Sequence, residues 1–158
     1  MSYNEKEREK CARVEQESIK WFLNSKKENG QNIVCSQSPS IYSSFDNFLN
    51  SGSTEYIIEV KVRLDYTGSQ IDGYGGAFFE YNKLAGMINY KEEHGHNHPI
   101  LYFNFFKDEL RIYAIKDDPT EYTWYQKRLP KDSYDKFLIW KWVTDLQKKD
   151  LIEIIKYK

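Results

Sequence analysis

YIIEVKVRL, residues 56–64, is the strongest strand signal in the chain. Its β-branched residues favour an extended backbone, and successive side chains of a strand point to opposite faces of the sheet. The two faces therefore differ in character, with Ile58, Val60 and Val62 on one and Glu59, Lys61 and Arg63 on the other. The charged face is either the wet side of an antiparallel sheet or the wall of a site.

The turn upstream of this strand supplies a pairing partner. Residues 50–54, NSGST, are typical turn residues, and residues 41–49 are predicted to form the preceding strand. A hairpin centred between Gly52 and Ser53 pairs residues whose numbers sum to 105, which places Asp46 opposite Glu59. Cross-strand neighbours lie ~4.5–5.5 Å apart at Cβ, so these carboxylates repel unless a cation lies between them.

The rest of the chain predicts a mixed α/β fold. Apolar spacing indicates helices over residues 4–24, 77–90 and 134–147, with Asn29-Gly30 ending the first. Further strands are expected over residues 32–35, 100–106, 110–115 and 122–127, and a glycine-rich loop over residues 67–76. This order favours one mixed central sheet with flanking helices and a C-terminal helix.

Composition sets limits on the class of protein. The 158 residues suit a single domain spanning residues 1–158, and a net charge of -1 excludes a molecule that is basic throughout. Cys11 and Cys35 show no metal-binding spacing. The N-terminal residues are charged and no stretch is apolar enough for a membrane span. We therefore expect a cytoplasmic protein that does not enter a membrane.

The order of the acidic and basic residues is characteristic. Glu15 lies on the first predicted helix, Asp46 precedes the turn, and Glu59-Val60-Lys61 lies within the strand. Over residues 15–115 this layout resembles the PD-(D/E)XK, or restriction-endonuclease-like, nuclease superfamily, and in particular its small phage-type members. The resemblance implies a core of order α-β-β-β-α-β and a Mg²⁺-dependent endodeoxyribonuclease that acts on DNA.

The resemblance also implies a role for each residue. Asp46 and Glu59 would hold Mg²⁺ or Mn²⁺, ions that prefer oxygen ligands, together with the backbone carbonyl of Val60. Lys61 would orient or deprotonate the attacking water, or stabilise the transition state as a fixed cation. Glu15 would be an outer or second-metal carboxylate, and Lys83 would contact a substrate phosphate.

Alternatives exist for two of these carboxylates. Phe45 precedes Asp46 where the family has a proline, and the nearest substitutes for Asp46 are Asp65 and Asp72, although both follow the Glu-x-Lys strand. Glu17 is an alternative to Glu15, two residues away.

Other functions are also compatible with the sequence. A catalytically silent module of the same fold would bind nucleic acid or protein, and a third possibility is a structural module with a wet sheet face. A small nuclease would need a homodimer or a protein partner for specificity.

We interpret the histidines of residues 94–98 as a polar loop, and the aromatics interleaved with lysines at residues 124–128 and 139–142 as core residues rather than a stacking surface for bases.

Overall fold

The computed structural model describes residues 2–38, 45–132 and 135–157. The first half contains α1 (Tyr3–Glu28), β1 (Val34–Gln37), β2 (Asn47–Ser51), β3 (Thr54–Arg63), α2 (Gly68–Gly73), β4 (Phe78–Glu80) and α3 (Tyr81–His94). The second half contains β5 (Ile100–Phe106), β6 (Glu109–Ile115), β7 (Tyr125–Pro130), β8 (Leu138–Asp145) and β9 (Leu151–Lys156). The predicted mixed α/β class is confirmed, and the order α-β-β-β-α-β is present with α2 and β4 inserted before α3.

The central sheet is mixed, with strand order β1-β2-β3-β5-β6-β9. β3 pairs with β5 in parallel, and the other neighbours are antiparallel. The β2–β3 hairpin pairs Asn47 with Ile58 and Ser51 with Thr54, which confirms the predicted register. Gly52 has a φ of 68° at the turn, a left-handed conformation that glycine adopts without a steric penalty.

One face of the central sheet packs against α1. The helix begins with a capping box between Ser2 and Glu5, which satisfies backbone donors at its first turn. Ile19 and Phe22 are its buried residues, and they join the cluster that contains Val60 and Phe103. The apolar face of β3 is therefore sealed by the N-terminal helix.

The opposite face of the central sheet lies under α3 and a second sheet of order β4-β8-β7. Leu84 and Met87 of α3 pack with Ile57 and Tyr102 of the central sheet. Glu59, on this face of β3, is only 3% exposed. The charged face of β3 is therefore covered rather than wet, and it carries a buried carboxylate.

The predicted C-terminal helix over residues 134–147 is wrong, although Ser133 and Tyr134 lie outside the described residues. Leu138–Asp145 is the strand β8. Alternation of Ile139, Lys141 and Val143 with bulky aromatics fits a period of two, and β-branched and aromatic residues favour strands. Leu151–Lys156 forms a further edge strand, β9, that the sequence analysis did not predict.

Smaller differences occur around the glycine-rich segment. The predicted loop over residues 67–76 contains the short helix α2, which begins with a capping box between Thr67 and Gln70. The helix predicted over residues 77–90 begins later than expected. Phe78–Glu80 forms the strand β4, which pairs with β8, and α3 begins at Tyr81. In the strand predicted over residues 41–49, residues 41–44 lie outside the described part of the chain. None of the described helices is both long enough and apolar enough to cross a membrane.

Candidate active site

The start of β2 fixes Asp46 beside the middle of β3. The Asp46 backbone N–H donates to the Ile58 carbonyl at 3.0 Å, and the Val60 N–H donates to Asp46 Oδ2 at 2.6 Å. The strand pairing itself ends at Asn47, opposite Ile58, so the predicted cross-strand pair of Asp46 with Glu59 is not part of it. Asp46 instead contacts Ile58 and Val60, the residues on either side of Glu59. One carboxylate oxygen of Asp46 is thus held by the backbone of the Glu-x-Lys strand.

Glu59 is a buried carboxylate with incomplete partners. Its Oε1 lies 3.5 Å from Lys83 Nζ, whereas its Oε2 is buried and receives no hydrogen bond from any described residue. Burial raises the pKa of Glu59 well above its usual value, and both the negative charge of Asp46 and side-chain contact with its carboxyl raise it further. An unmet buried oxygen costs free energy, so this position favours binding of a cation.

Glu15 of α1 lies in the same electrostatic environment. Burial raises its pKa to about 7, and Asp46 contributes in the same direction, while Lys61 and Lys83 oppose the shift. Glu17 is exposed on the same helix. The structure thus brings Glu15, and not Glu17, towards Asp46.

Two lysines complete this cluster. The pKa of Lys83, on α3, is raised mainly by the negative charge of Glu59. Lys61 follows Glu59 by two residues on the same face of β3, and its charge acts on both Glu15 and Glu59. With all five groups ionised, three carboxylates face two ammonium groups, so one negative charge remains unbalanced.

The Val60 carbonyl points to the edge of β3 where Asp46 lies. In a strand, the N–H and the C=O of one residue point to the same edge, as in an antiparallel hydrogen-bonded pair. The Val60 N–H faces Asp46, and β2 begins at Asn47. The carbonyl therefore faces the edge beyond the end of β2, beside the carboxylates.

These oxygen donors fit Mg²⁺ better than zinc. In the described residues no group of three or more His, Cys, Asp or Glu side chains is arranged to hold a metal ion. Mg²⁺ commonly binds through one or two carboxylates and keeps several waters, whereas structural zinc sites use four Cys or His ligands. Asp46, Glu59 with its unmet oxygen, and the Val60 carbonyl supply the type of donor atom that Mg²⁺ and Mn²⁺ prefer.

The other acidic candidates are not part of the buried carboxylate cluster. Asp65 is exposed after β3, and both oxygens of Asp72 accept hydrogen bonds from Arg111 at 2.7 and 3.1 Å. His94, His96 and His98 form a row of aromatic contacts that begins at Tyr90. Asp72 and the three histidines do not line the cleft that contains Glu59. Asp65 borders the cleft, but its exposed side chain lies after the end of β3.

A cleft of about 1160 Å³ connects the carboxylates to solvent. Besides α1, β3 and α3, the β7–β8 hairpin borders it, through Lys131, Lys136 and Lys141 among others. Lys141 forms an ion pair with Glu80 at the start of α3. Lys136 and Lys141 were not predicted as site residues because residues 134–147 were expected to form a helix. The alternation of residues 138–143 was the signal that could have found this part of the site.

These observations define a mixed α/β protein whose cleft combines clustered carboxylates with lysines. No protein-family model matches the sequence, and no curated protein matches it. Among solved structures, the chain is similar to Hjc, a Holliday junction resolvase from the archaeal hyperthermophile Archaeoglobus fulgidus, with a TM-score of 0.40 and 13% sequence identity. The similarity covers 60% of this chain and 74% of the resolvase. At this identity and TM-score, it assigns no function to the chain.

Proposed function

We propose that the protein is a metal-dependent endonuclease that hydrolyses phosphodiester bonds of DNA. The observation that carries the proposal is the buried Glu59 carboxylate, which has an unmet oxygen, lies beside Asp46 and is followed by Lys61 on the same face. A purely structural carboxylate would gain stability from a hydrogen-bond donor at that oxygen. Its absence is consistent with a position kept for a ligand cation.

Asp46, Glu59 and the Val60 carbonyl would hold Mg²⁺ or Mn²⁺. When bound, such an ion lowers the pKa of a coordinated water and stabilises the charge that develops on phosphoryl oxygens. The protein supplies orientation, because the Val60 N–H fixes Asp46 and burial fixes Glu59. Glu15 would act as an outer carboxylate, since its charge is coupled to that of Asp46.

The lysines would act on the substrate. Lys61 lies beside the carboxylates and would orient or deprotonate the attacking water or stabilise the transition state as a fixed positive charge. Lys83, 3.5 Å from Glu59, would contact a substrate phosphate from α3. The hairpin lysines at the border of the cleft would attract the DNA backbone, whose negative charge dominates affinity. Specificity would come from a second copy of the chain or from a protein partner.

The test is cleavage of linear, circular, branched and single-stranded DNA with Mg²⁺ or Mn²⁺, beside an EDTA control. Glu59→Gln keeps the side-chain shape and removes its charge, so we expect a loss of cleavage by several orders of magnitude in a folded protein. Glu55→Gln is the matched control, because Glu55 lies on the same strand but contacts His98 outside the cleft.

The proposal fails if the Glu59→Gln variant cleaves at the wild-type rate. It also fails if the wild-type protein binds DNA but cleaves none of these substrates with either ion. The second result would favour a catalytically silent binding module of the same fold.

A further inference from the structure

The β7–β8 hairpin has two unlike faces. Its register pairs Lys127 with Lys141 and Arg128 with Trp140. The Lys127–Lys141 pair points inward, where Lys127 lies 4.5 Å from the centre of the Phe78 ring and Lys141 pairs with Glu80. The alternate positions point away from the protein.

The outward face is aromatic and exposed. Trp140 is 65% exposed and Trp142 is 51% exposed, so the interpretation of these two aromatics as core residues is wrong, whereas Trp124 packs against the core. The exposed positions of the two paired strands on this face are Gln126, Arg128, Pro130, Leu138, Trp140 and Trp142. An exposed patch of large apolar side chains on a monomer marks an interaction surface.

We propose that this face, here called the tryptophan face, binds unpaired bases of a single-stranded nucleic acid by stacking. The inference deepens the proposed nuclease function, on which it rests, by naming the class of substrate. The strand would pass from the tryptophan face into the cleft that contains Glu59. The face and the cleft are continuous, because Pro130 and Lys131 of the same hairpin border the cleft.

Charge on the tryptophan face selects an anionic occupant. None of its six residues is acidic, and Arg128 lies directly across the strand pair from Trp140. A two-fold contact between copies of the chain would use the same patch on both, and it would bring Arg128 towards its own equivalent without a carboxylate to neutralise either. A phosphate backbone gives Arg128 a partner, and the indole rings give the bases a stacking surface.

The spacing of the tryptophans favours single strands over duplex. Two positions along a strand are roughly 6.6 Å apart, from a rise of ~3.3 Å per residue, about twice the 3.4 Å rise of stacked bases along one strand. Bases that contact both rings must therefore be unstacked from each other. Bases within a duplex are already stacked and paired, so their faces are not accessible to the indoles.

The experiment is binding of labelled single-stranded oligonucleotides in EDTA, measured by fluorescence anisotropy at one fixed salt concentration. Arms with oligo-dT, oligo-U and a duplex of equal length distinguish DNA, RNA and paired strands. The Trp140→Ala/Trp142→Ala variant should bind single strands at least about tenfold more weakly. The Trp140→Phe/Trp142→Phe variant should retain most of the affinity, because it keeps aromatic rings. Tyr74→Ala removes another highly exposed aromatic and is the matched control.

Tight binding of oligo-dT or of oligo-U that depends on the two tryptophans supports the inference. Unchanged affinity of the double Ala variant overturns it, as does equally tight binding of duplex through these residues. Self-association of the wild type that is lost in the double Ala variant, measured by analytical ultracentrifugation, also overturns it. EDTA removes cleavage from the measurement. Absence of nuclease activity therefore refutes the proposed function alone, whereas unchanged affinity of the double variant refutes the inference alone.

Discussion

Two buried charged clusters lie on the same central sheet and differ in how their charges are satisfied. Arg111 of β6 donates to both oxygens of Asp72 and to Glu109 Oε2 at 3.3 Å. Hydrogen bonds from Arg111 lower the pKa of Asp72. In the other cluster, burial and Asp46 raise the pKa of Glu59, whose Oε2 receives no donor from the described residues.

We interpret the Arg111 cluster as one that stabilises the fold and the Glu59 cluster as the proposed metal site. A Cβ on Gly68 would lie 2.7 Å from Arg111 Nε and 2.8 Å from the Glu109 carboxyl carbon, so α2 can approach this cluster because residue 68 has no side chain. Around Glu59, by contrast, burial and the charge of Asp46 disfavour the ionised carboxylate, so ionising Glu59 costs free energy in the free protein. Such unfavourable groups are typical of functional sites.

In this comparison, we expect the largest effect on the rate of DNA cleavage when Lys61 is replaced. The Lys61→Ala variant should cleave DNA slower by several orders of magnitude, while its affinity for Mg²⁺ should be unchanged or higher. Removal of a positive charge near the carboxylates lowers repulsion of the cation. Cleavage rates and calorimetric titration of Mn²⁺ into the variant check the two halves of this prediction.

Lys27→Ala is a suitable control, because Lys27 is an exposed lysine of α1 that does not line the cleft. If Lys61→Ala abolishes metal binding instead, the lysine maintains the shape of the site, and the two clusters do not differ in the way described. Glu59→Gln measured in parallel should lose both metal affinity and cleavage.

A large effect on stability is expected at the other cluster. Arg111→Met should lower the free energy of unfolding by about 3–5 kcal/mol, because removing one partner leaves buried charges uncompensated. Chemical denaturation at neutral pH measures this loss. Asp72→Asn should cost less, since the Asp72 side chain is half exposed.

Equal losses for Arg111→Met and Glu59→Gln in EDTA would contradict the comparison. We expect Glu59→Gln to be no less stable than the wild type without metal, since it removes a charge that burial disfavours.

The sequence predicted the hairpin and its acidic pair because each depends on local signals. The NSGST turn and the alternation of residues 56–64 fix the register, and the register brings Asp46 to Glu59. The choice of Glu15 over Glu17 required the rotation of α1 against the sheet, which only packing determines. Likewise, the β4–β8–β7 sheet decides whether the charged face of β3 is exposed to solvent. The sequence of β3 alone does not indicate that this second sheet covers it.

The C-terminal region was mispredicted for a different reason. Leu129-Pro130-Lys131-Asp132-Ser133 contains residues typical of a helix start, so a helix was expected after it. In the structure Pro130 ends β7, and β8 returns against β7. Short apolar runs are ambiguous between helix and strand, and pairing with β4 and β7 decides between them here.

The smallest expected effect is the pH dependence of stability at Glu15, which tests whether the unfavourable charge extends beyond Glu59. The pKa of Glu15 is about 7 in the folded protein, above the usual value near 4.5 that the unfolded chain retains. The folded state therefore binds more protons between these values, and its stability falls as the pH rises through this window. The contribution is fully present below about pH 4.5 and is lost above about pH 7.

Glu15→Gln removes this titration, so in EDTA its melting temperature should exceed that of the wild type by more at pH 8 than at pH 5. Because Glu15 is partly exposed, solvent screening limits the effect, and about 1 kcal/mol, or ~2–4 °C, is expected. Glu17→Gln is the matched control, since Glu17 is exposed two residues away on the same helix. Saturating Mg²⁺ should reduce the difference at pH 8, because a cation near Asp46 favours the ionised form of Glu15. A difference that is independent of pH would show that Glu15 lies outside the electrostatic field of the site.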